Sequence, residues 1–326
     1  MKRKVIITII FATPFLFLLS QYMFGMATRQ MCLLLSLLYV PSLGFIYFKM
    51  KKYHLLLLFF FFLFTLPAMS IRPKIGLALG GGGAKGAATI GAIKVIEEAG
   101  IKVDYIAGTS IGAAIGGLYS AGLSLQEIED LLFVQGVMDV LSLSRIEYEL
   151  DRNLTLHDCE FIQNTRIPFR CVAVDADEMK EYVLSNGDMA HAIVASMAVP
   201  VVFRQVPWES IGLNDGGLLN NLPVDVVKKM GADIVIAIDL QQNDDDGLQI
   251  PSFGLGGIFD TIAEWSVTRP DKKKYRENVK SANIHIHPNL SGYNAASFGE
   301  SNCETMKKRG EEEARKHWNE LIKYRN

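Results

Sequence analysis

From Ile75 onward, short apolar runs alternate with segments whose apolar residues recur at helical spacing. Ile75 to Leu79 reads as a strand buried on both faces. The stretch from Lys85 to Ala99 carries Ile90, Ile93, Val95 and Ile96 at helical intervals, and Gly100 stands where a C′ glycine ends a helix. A second strand is predicted from Asp104 to Gly108. The Gly- and Ala-rich segment from Ile111 to Ser120 predicts a helix packed closely against its neighbours. Ser124 and Glu127 have the spacing of a capping box.

Residues 136–168 predict peripheral helices and loops. Strands follow from Phe169 to Val174 and from Tyr182 to Leu184, joined by the polar turn Asp175 to Lys180. A helix opening at Gly187-Asp188 carries Ile193, Val194 and Met197 and is stopped by Pro200. Asn214-Asp215-Gly216-Gly217 predicts a tight turn, Pro223 the first turn of a helix, and Ile234 to Leu240 a strongly apolar strand. After an acidic loop at 241–247, two basic helices flank a strand from Ala282 to His287. Alternation of this kind predicts an α/β domain with a mainly parallel central sheet. The core spans 71–240, and 241–326 supply C-terminal helices and a strand that complete it.

Residues 1–70 follow a different pattern. Three apolar runs occupy Val5 to Phe24, Met31 to Phe48 and Leu55 to Leu66. The first is long enough to span a bilayer, at roughly 20 residues. The third has the shape of a signal peptide, with Lys49, Lys51 and Lys52 before it and Ala68-Met69-Ser70 after it. On that reading Met50 is the true start and the preceding residues are an upstream extension. On the other reading all three runs are transmembrane helices, with the lysine clusters on the cytoplasmic side. Either way the domain is delivered to the non-cytoplasmic side, membrane-associated or exported. A cytoplasm-facing domain tethered by two spans is a third reading.

Composition adds limits. At 326 residues the chain can bury a large core without staples. A net charge of -2 implies no polyanionic partner, and hence no nucleic acid. Cys32, Cys159, Cys171 and Cys303 are spaced as neither a metal site nor a disulfide framework.

Candidate chemistry lies at two glycine-rich turns. Gly81-x-Gly83-x-x-Gly86 has the form of a dinucleotide fingerprint, but no acidic residue ends the second strand to hold a ribose. Lys85 is followed by Gly86, so the loop is not a Walker motif either. A run of N–H groups at a helix N-terminus remains, suited to an oxyanion as well as a phosphate. Gly108-x-Ser110-x-Gly112, between strand and helix, is the pattern of a nucleophile elbow. A serine triad would need a histidine. His285 and His287 sit on an alternating strand without loop freedom, and His157 and His191 lie in polar helical contexts. Asp215 could serve directly as a base. By composition alone, an ordinary β-turn is the favoured reading of Asp215-Gly216.

Gly81-Gly82-Gly83-Ala84-Lys85-Gly86, Gly108-Thr109-Ser110-Ile111-Gly112 and Asp215-Gly216-Gly217, in this order, resemble the three signatures of patatin-like phospholipases. The segments Ala192 to Pro200, Asn221 to Asp225 and Met230 to Val235 resemble the bacterial branch of that family. The resemblance covers roughly Ile75 to Leu240. It implies a three-layer α/β/α domain and a Ser110–Asp215 dyad without histidine, with the amides of Gly81, Gly82 and Gly83 as oxyanion hole. It places Lys85 where Arg or Lys is common. The implied activity is hydrolysis of a phospholipid or other fatty-acyl ester at a membrane surface, with neither metal nor cofactor. A catalytically silent lipid-binding module of the same fold is the alternative. Oligomeric state is not legible.

Overall fold

The structure, a computed structural model, describes residues 72–135, 137, 142–200, 202–242 and 272–325. The three apolar runs, and with them the choice between signal peptide and spans, lie outside the described residues. No described helix is long and apolar enough to cross a membrane.

The elements are β1 (Ile75–Leu79), α1 (Ala87–Glu98), β2 (Tyr105–Thr109), α2 (Ile111–Ala121), α3 (Leu125–Glu129), α4 (Leu143–Leu156), β3 (Phe169–Asp175), β4 (Lys180–Leu184), α5 (Met189–Ser196), β5 (Val206–Trp208), β6 (Ile211–Asp215), α6 (Val224–Lys229), β7 (Ile234–Ile238), α7 (Lys272–Ser281), β8 (Ile284–Ile286), α8 (Glu300–Lys316) and α9 (Trp318–Leu321). Their ends show the expected signals. Gly100 follows α1 with φ 74°. Ser124 and Glu127 complete a full capping box on α3. Asp188 caps α5 by accepting from the His191 N–H, and α5 stops at Ser196, before Pro200.

The strands form one eight-stranded sheet. β1 pairs in parallel with β2 and β7, β2 with β3, and β7 with β8. The other pairings, β3 with β4, β3 with β6 and β5 with β6, are antiparallel. The sheet is therefore mixed: β3, β2, β1, β7 and β8 form the expected parallel part, and β4, β5 and β6 add an antiparallel part. The antiparallel part contains β5 and β6, two strands that the sequence pattern does not reveal. β5 has only three residues and includes Pro207, and Gly212 interrupts β6. The tight turn expected at Asn214 to Gly217 is displaced accordingly: Asn214 and Asp215 end β6, and the turn begins at Gly216.

Alternate residues of the central strands face opposite layers, as the two-residue period of a strand requires. Leu77, Leu79, Ile106, Cys171, Ile236 and Ile238 join the core cluster that also takes in α1, α2, α5 and α8. Ala78, Ala107, Val172, Val235 and Ala237 face the other way, onto α6, with Tyr275 and Val279 of α7 packed at its margin. Each fully buried Leu or Ile contributes about 2 kcal/mol of hydrophobic stabilisation. The small residues of the second face let α6 approach the sheet closely.

Candidate active site

The C-terminal ends of β1 and β2 carry the two glycine-rich turns side by side. Past Thr109 the chain reverses at Ser110, which has φ 55° and ψ -124°. A non-glycine residue there stores roughly 1–3 kcal/mol of backbone strain, held by the packing around it. The elbow works because its glycines admit backbone where a side chain would not fit. A Cβ on Gly108 would lie 2.3 Å from the Gly112 carbonyl, and one on Gly112 would lie 2.3 Å from that of Leu79. Ser110 also begins α2, where the helix dipole favours negative charge.

The elbow is clamped by a residue that sequence reading passes over. Ser196, fully buried at the end of α5, accepts the Ser110 N–H at 2.9 Å and donates to the Val172 carbonyl at 2.6 Å. It ties the turn to β3. The one signal in the sequence is a hydroxyl in an otherwise apolar stretch, Ala192 to Val199. On the other side, Thr109 Oγ1 donates to the Asn220 carbonyl at 2.8 Å.

Asp215 reaches the elbow through strand register. β4 runs along one side of β3, pairing from Cys171 to Asp175. On the other side β2 pairs as far as Thr109↔Val172, and β6 takes over at Asp215↔Ala173. Thr109 and Asp215 thus occupy successive positions along the same side of β3, one strand ending where the other begins. Asp215 is 5% exposed, and its Oδ1 accepts the Gly217 N–H at 2.7 Å.

The glycine loop closes the third side. A Cβ on Gly81 would come within 3.1 Å of Ser110 Cβ and 2.5 Å of Asn221 Oδ1. One on Gly217 would come within 2.9 Å of that same Asn221 Oδ1 and 3.0 Å of Asp215 Oδ1. Asn221 therefore sits between the loop and the Asp215 turn, and its Nδ2 donates to the Gly81 carbonyl at 3.3 Å. Gly86 packs on Ile111 and Gly216 on the Val172 carbonyl.

The three loop amides differ. Gly81 donates its N–H to the Asn221 carbonyl at 3.2 Å. Gly82 and Gly83 are half-exposed, and their N–H groups have no backbone acceptor among the described residues. The Ala84 N–H bonds the Ala295 carbonyl, which fixes the loop from the far side. Lys85 is half-buried just beyond it.

The described histidines have partners elsewhere. His157 faces Glu127, and His191 bridges Glu147 and the Pro207 carbonyl. His285 bonds Asp239, and His287 bonds the Gln241 carbonyl.

A model of the family described as patatin-like phospholipase matches residues 77–159 and 157–228. The chain is 29% identical to "Lysophospholipase nte1" of Aspergillus fumigatus over 259 residues, which is 69% of this chain and 17% of that protein. To "Neuropathy target esterase sws" of Drosophila melanogaster it is 30% identical over 259 residues, 69% of this chain and 18% of the relative. This chain therefore corresponds to under a fifth of the length of either protein. Among solved structures it is similar to VipD from Legionella pneumophila, with TM-score 0.49 and 13% identity over 76% of this chain and 67% of that one.

Proposed function

We propose that this chain is a serine lipid acyl hydrolase of the patatin-like phospholipase family, whose model matches residues 77–228, working through Ser110 and Asp215. The observation that carries the reading is the shared register on β3, Thr109↔Val172 beside Asp215↔Ala173. It supports a carboxylate working with a serine held at the tip of a strained turn.

Asp215 takes the proton of Ser110 as Oγ attacks the ester carbonyl. The developing oxyanion is received by the N–H groups of Gly82 and Gly83, which lack other backbone acceptors among the described residues. Each such donor is worth about 3 kcal/mol in comparable sites. Gly81, whose N–H is engaged by Asn221, instead holds the loop against the elbow. The alcohol leaves with the proton from Asp215. A water activated by the same carboxylate then hydrolyses the acyl-serine and releases the fatty acid.

The substrate class is a phospholipid, lysophospholipid or other fatty-acyl ester presented at a membrane surface. The name of the fungal relative favours the lysophospholipid end of that range, and that of the insect relative says only that an ester is cut. The apolar runs before residue 71 support a membrane-associated or exported location. The bacterial-branch placement rests on the segments around Pro200, Pro223 and Gly231.

The test combines a fluorophosphonate probe with hydrolysis of a lysophospholipid in mixed micelles. Wild type is expected to label and turn over, and Ser110→Ala to do neither while melting at the wild-type temperature. Full hydrolysis by Ser110→Ala would overturn the mechanism. A wild type that neither labels nor hydrolyses would favour the silent lipid-binding module.

A further inference from the structure

The ends of β7 and β8 gather side chains that ester hydrolysis does not use. His285 lies in β8 and His287 follows directly after it. Their rings stack with centroids 5.4 Å apart at 18°. Both Nε2 atoms meet the segment that follows β7: that of His285 lies 2.9 Å from Asp239 Oδ2, and that of His287 bonds the Gln241 carbonyl. Asp239 is fully buried, and its Oδ1 accepts the Gln241 N–H at 3.0 Å. Tyr275 of α7 donates to its Oδ2 at 2.5 Å.

A buried carboxylate is costly unless a positive charge faces it. Among the described residues no lysine or arginine pairs with Asp239; the basic group facing it is the His285 imidazole, which is charged only when protonated. One ligand atom each from Asp239, His285 and His287 can be chosen so that all lie within 4.8 Å of one another.

We propose that Asp239, His285 and His287 bind one borderline divalent cation of the Zn2+ type. Two imidazole nitrogens and one carboxylate oxygen are a ligand set that such cations take, with a further position left for water. Carboxylate and carbonyl only accept hydrogen bonds, so each Nε2 now carries the proton it donates. On binding, that proton moves to Nδ1, and the freed Nε2 lone pairs become ligands. Tyr275 remains as the outer hydrogen bond that orients the carboxylate. The site is separate from the dyad but structurally joined to the glycine loop. The Gly80 N–H bonds the Ile238 carbonyl at 3.0 Å, and Leu240 packs where a Cβ on Gly82 would lie, at 3.0 Å. A cation pinning residues 239–241 would therefore brace that loop and raise thermal stability.

The test uses the full chain in detergent, stripped with a chelator and titrated with Zn2+ alone against a chromophoric competitor. Thermal unfolding and far-UV circular dichroism are followed alongside. One tight equivalent per chain is expected, with a melting temperature that rises on Zn2+ addition. His287→Ala should weaken that equivalent at least tenfold and abolish the thermal shift, whereas His157→Ala should change neither. His287 is the variant of choice because its removal leaves the Asp239–His285 bond in place and the fold readable. No tight equivalent in wild type, or the same affinity in His287→Ala, would overturn the proposal.

Discussion

Ser110 and Asp215, the proposed nucleophile and base, are placed by different means. The half of the sheet built on β1 and β2 holds Ser110 by local geometry, with a strand, a turn and a helix succeeding one another within a few residues. The half built on β4, β5 and β6 brings in Asp215 by long-range antiparallel pairing, across 105 residues, read as the interval from Ser110 to Asp215 in the sequence. The first is fixed wherever its glycines are fixed. The second depends on every residue that sets the register of β6 on β3. Damage to the elbow should therefore appear as lost folding or lost nucleophile, and damage to the other half as a carboxylate out of place.

The largest test of the contrast removes the proposed base and keeps its shape. Asp215→Asn retains an acceptor for the Gly217 N–H but cannot take a proton. Its kcat should fall by about a thousandfold, with little change in melting temperature. A variant that keeps wild-type kcat would remove Asp215 from the mechanism and leave the antiparallel half as scaffold.

A matched pair of glycine substitutions separates the halves next. Gly112→Ala would set a methyl 2.3 Å from the Leu79 carbonyl, where only backbone can yield. A loss of about 3 kcal/mol in chemical denaturation is expected. Gly217→Ala meets the tips of the Asn221 and Asp215 side chains at 2.9 and 3.0 Å, which can shift. It should lower kcat by displacing the carboxylate and cost only about 1 kcal/mol of stability. Equal effects on stability would break the distinction.

Ser196→Ala probes the link between the halves. It strips one partner each from the Ser110 N–H and the buried Val172 carbonyl. About 1–3 kcal/mol of stability should be lost. The fall in kcat should be smaller than for Asp215→Asn, because Ser196 holds the elbow and does not react. Unchanged kcat would mean that packing alone maintains the turn.

The smallest effect is a dependence on pH in the antiparallel half. His191 joins α5 to Glu147 of α4 at 2.6 Å and to the Pro207 carbonyl of β5 at 2.8 Å. Burial disfavours its charged form, but those two acceptors outweigh burial and hold its pKa above the ordinary 6.5. A raised folded pKa stabilises fully below about 6.5 and is lost as pH rises through the folded value. Thermal melts from pH 6 upward should show a decline that His191→Gln flattens. An unchanged slope in that variant would deny the bridge any energetic role.

Much of this was legible in the chain. Ile75–Leu79 is the strand that its apolar run predicts, and the caps at Gly100, Ser124 and Asp188 stand where their residue types belong. These features depend on neighbours in sequence, through sterics and hydrogen bonds that close within a few residues. The strands β5 and β6 were not legible, because Pro207 and Gly212 break their alternation and β5 is too short to show one. By composition alone the Asp-Gly-Gly segment reads first as an ordinary turn, because nothing near it in sequence says what it faces.

The sequence by itself thus determined the α/β order of elements, the glycine loop and the strained turn at Ser110. Only the tertiary structure decided that Asp215 follows Thr109 along β3, that Ser196 and Asn221 close in on the elbow, and that the Gly81 amide is engaged while those of Gly82 and Gly83 keep no backbone acceptor among the described residues. The reason is one of range. A turn is a property of adjacent dihedrals, whereas strand register is chosen by the whole sheet, since a slip of one residue sends every side chain to the opposite face.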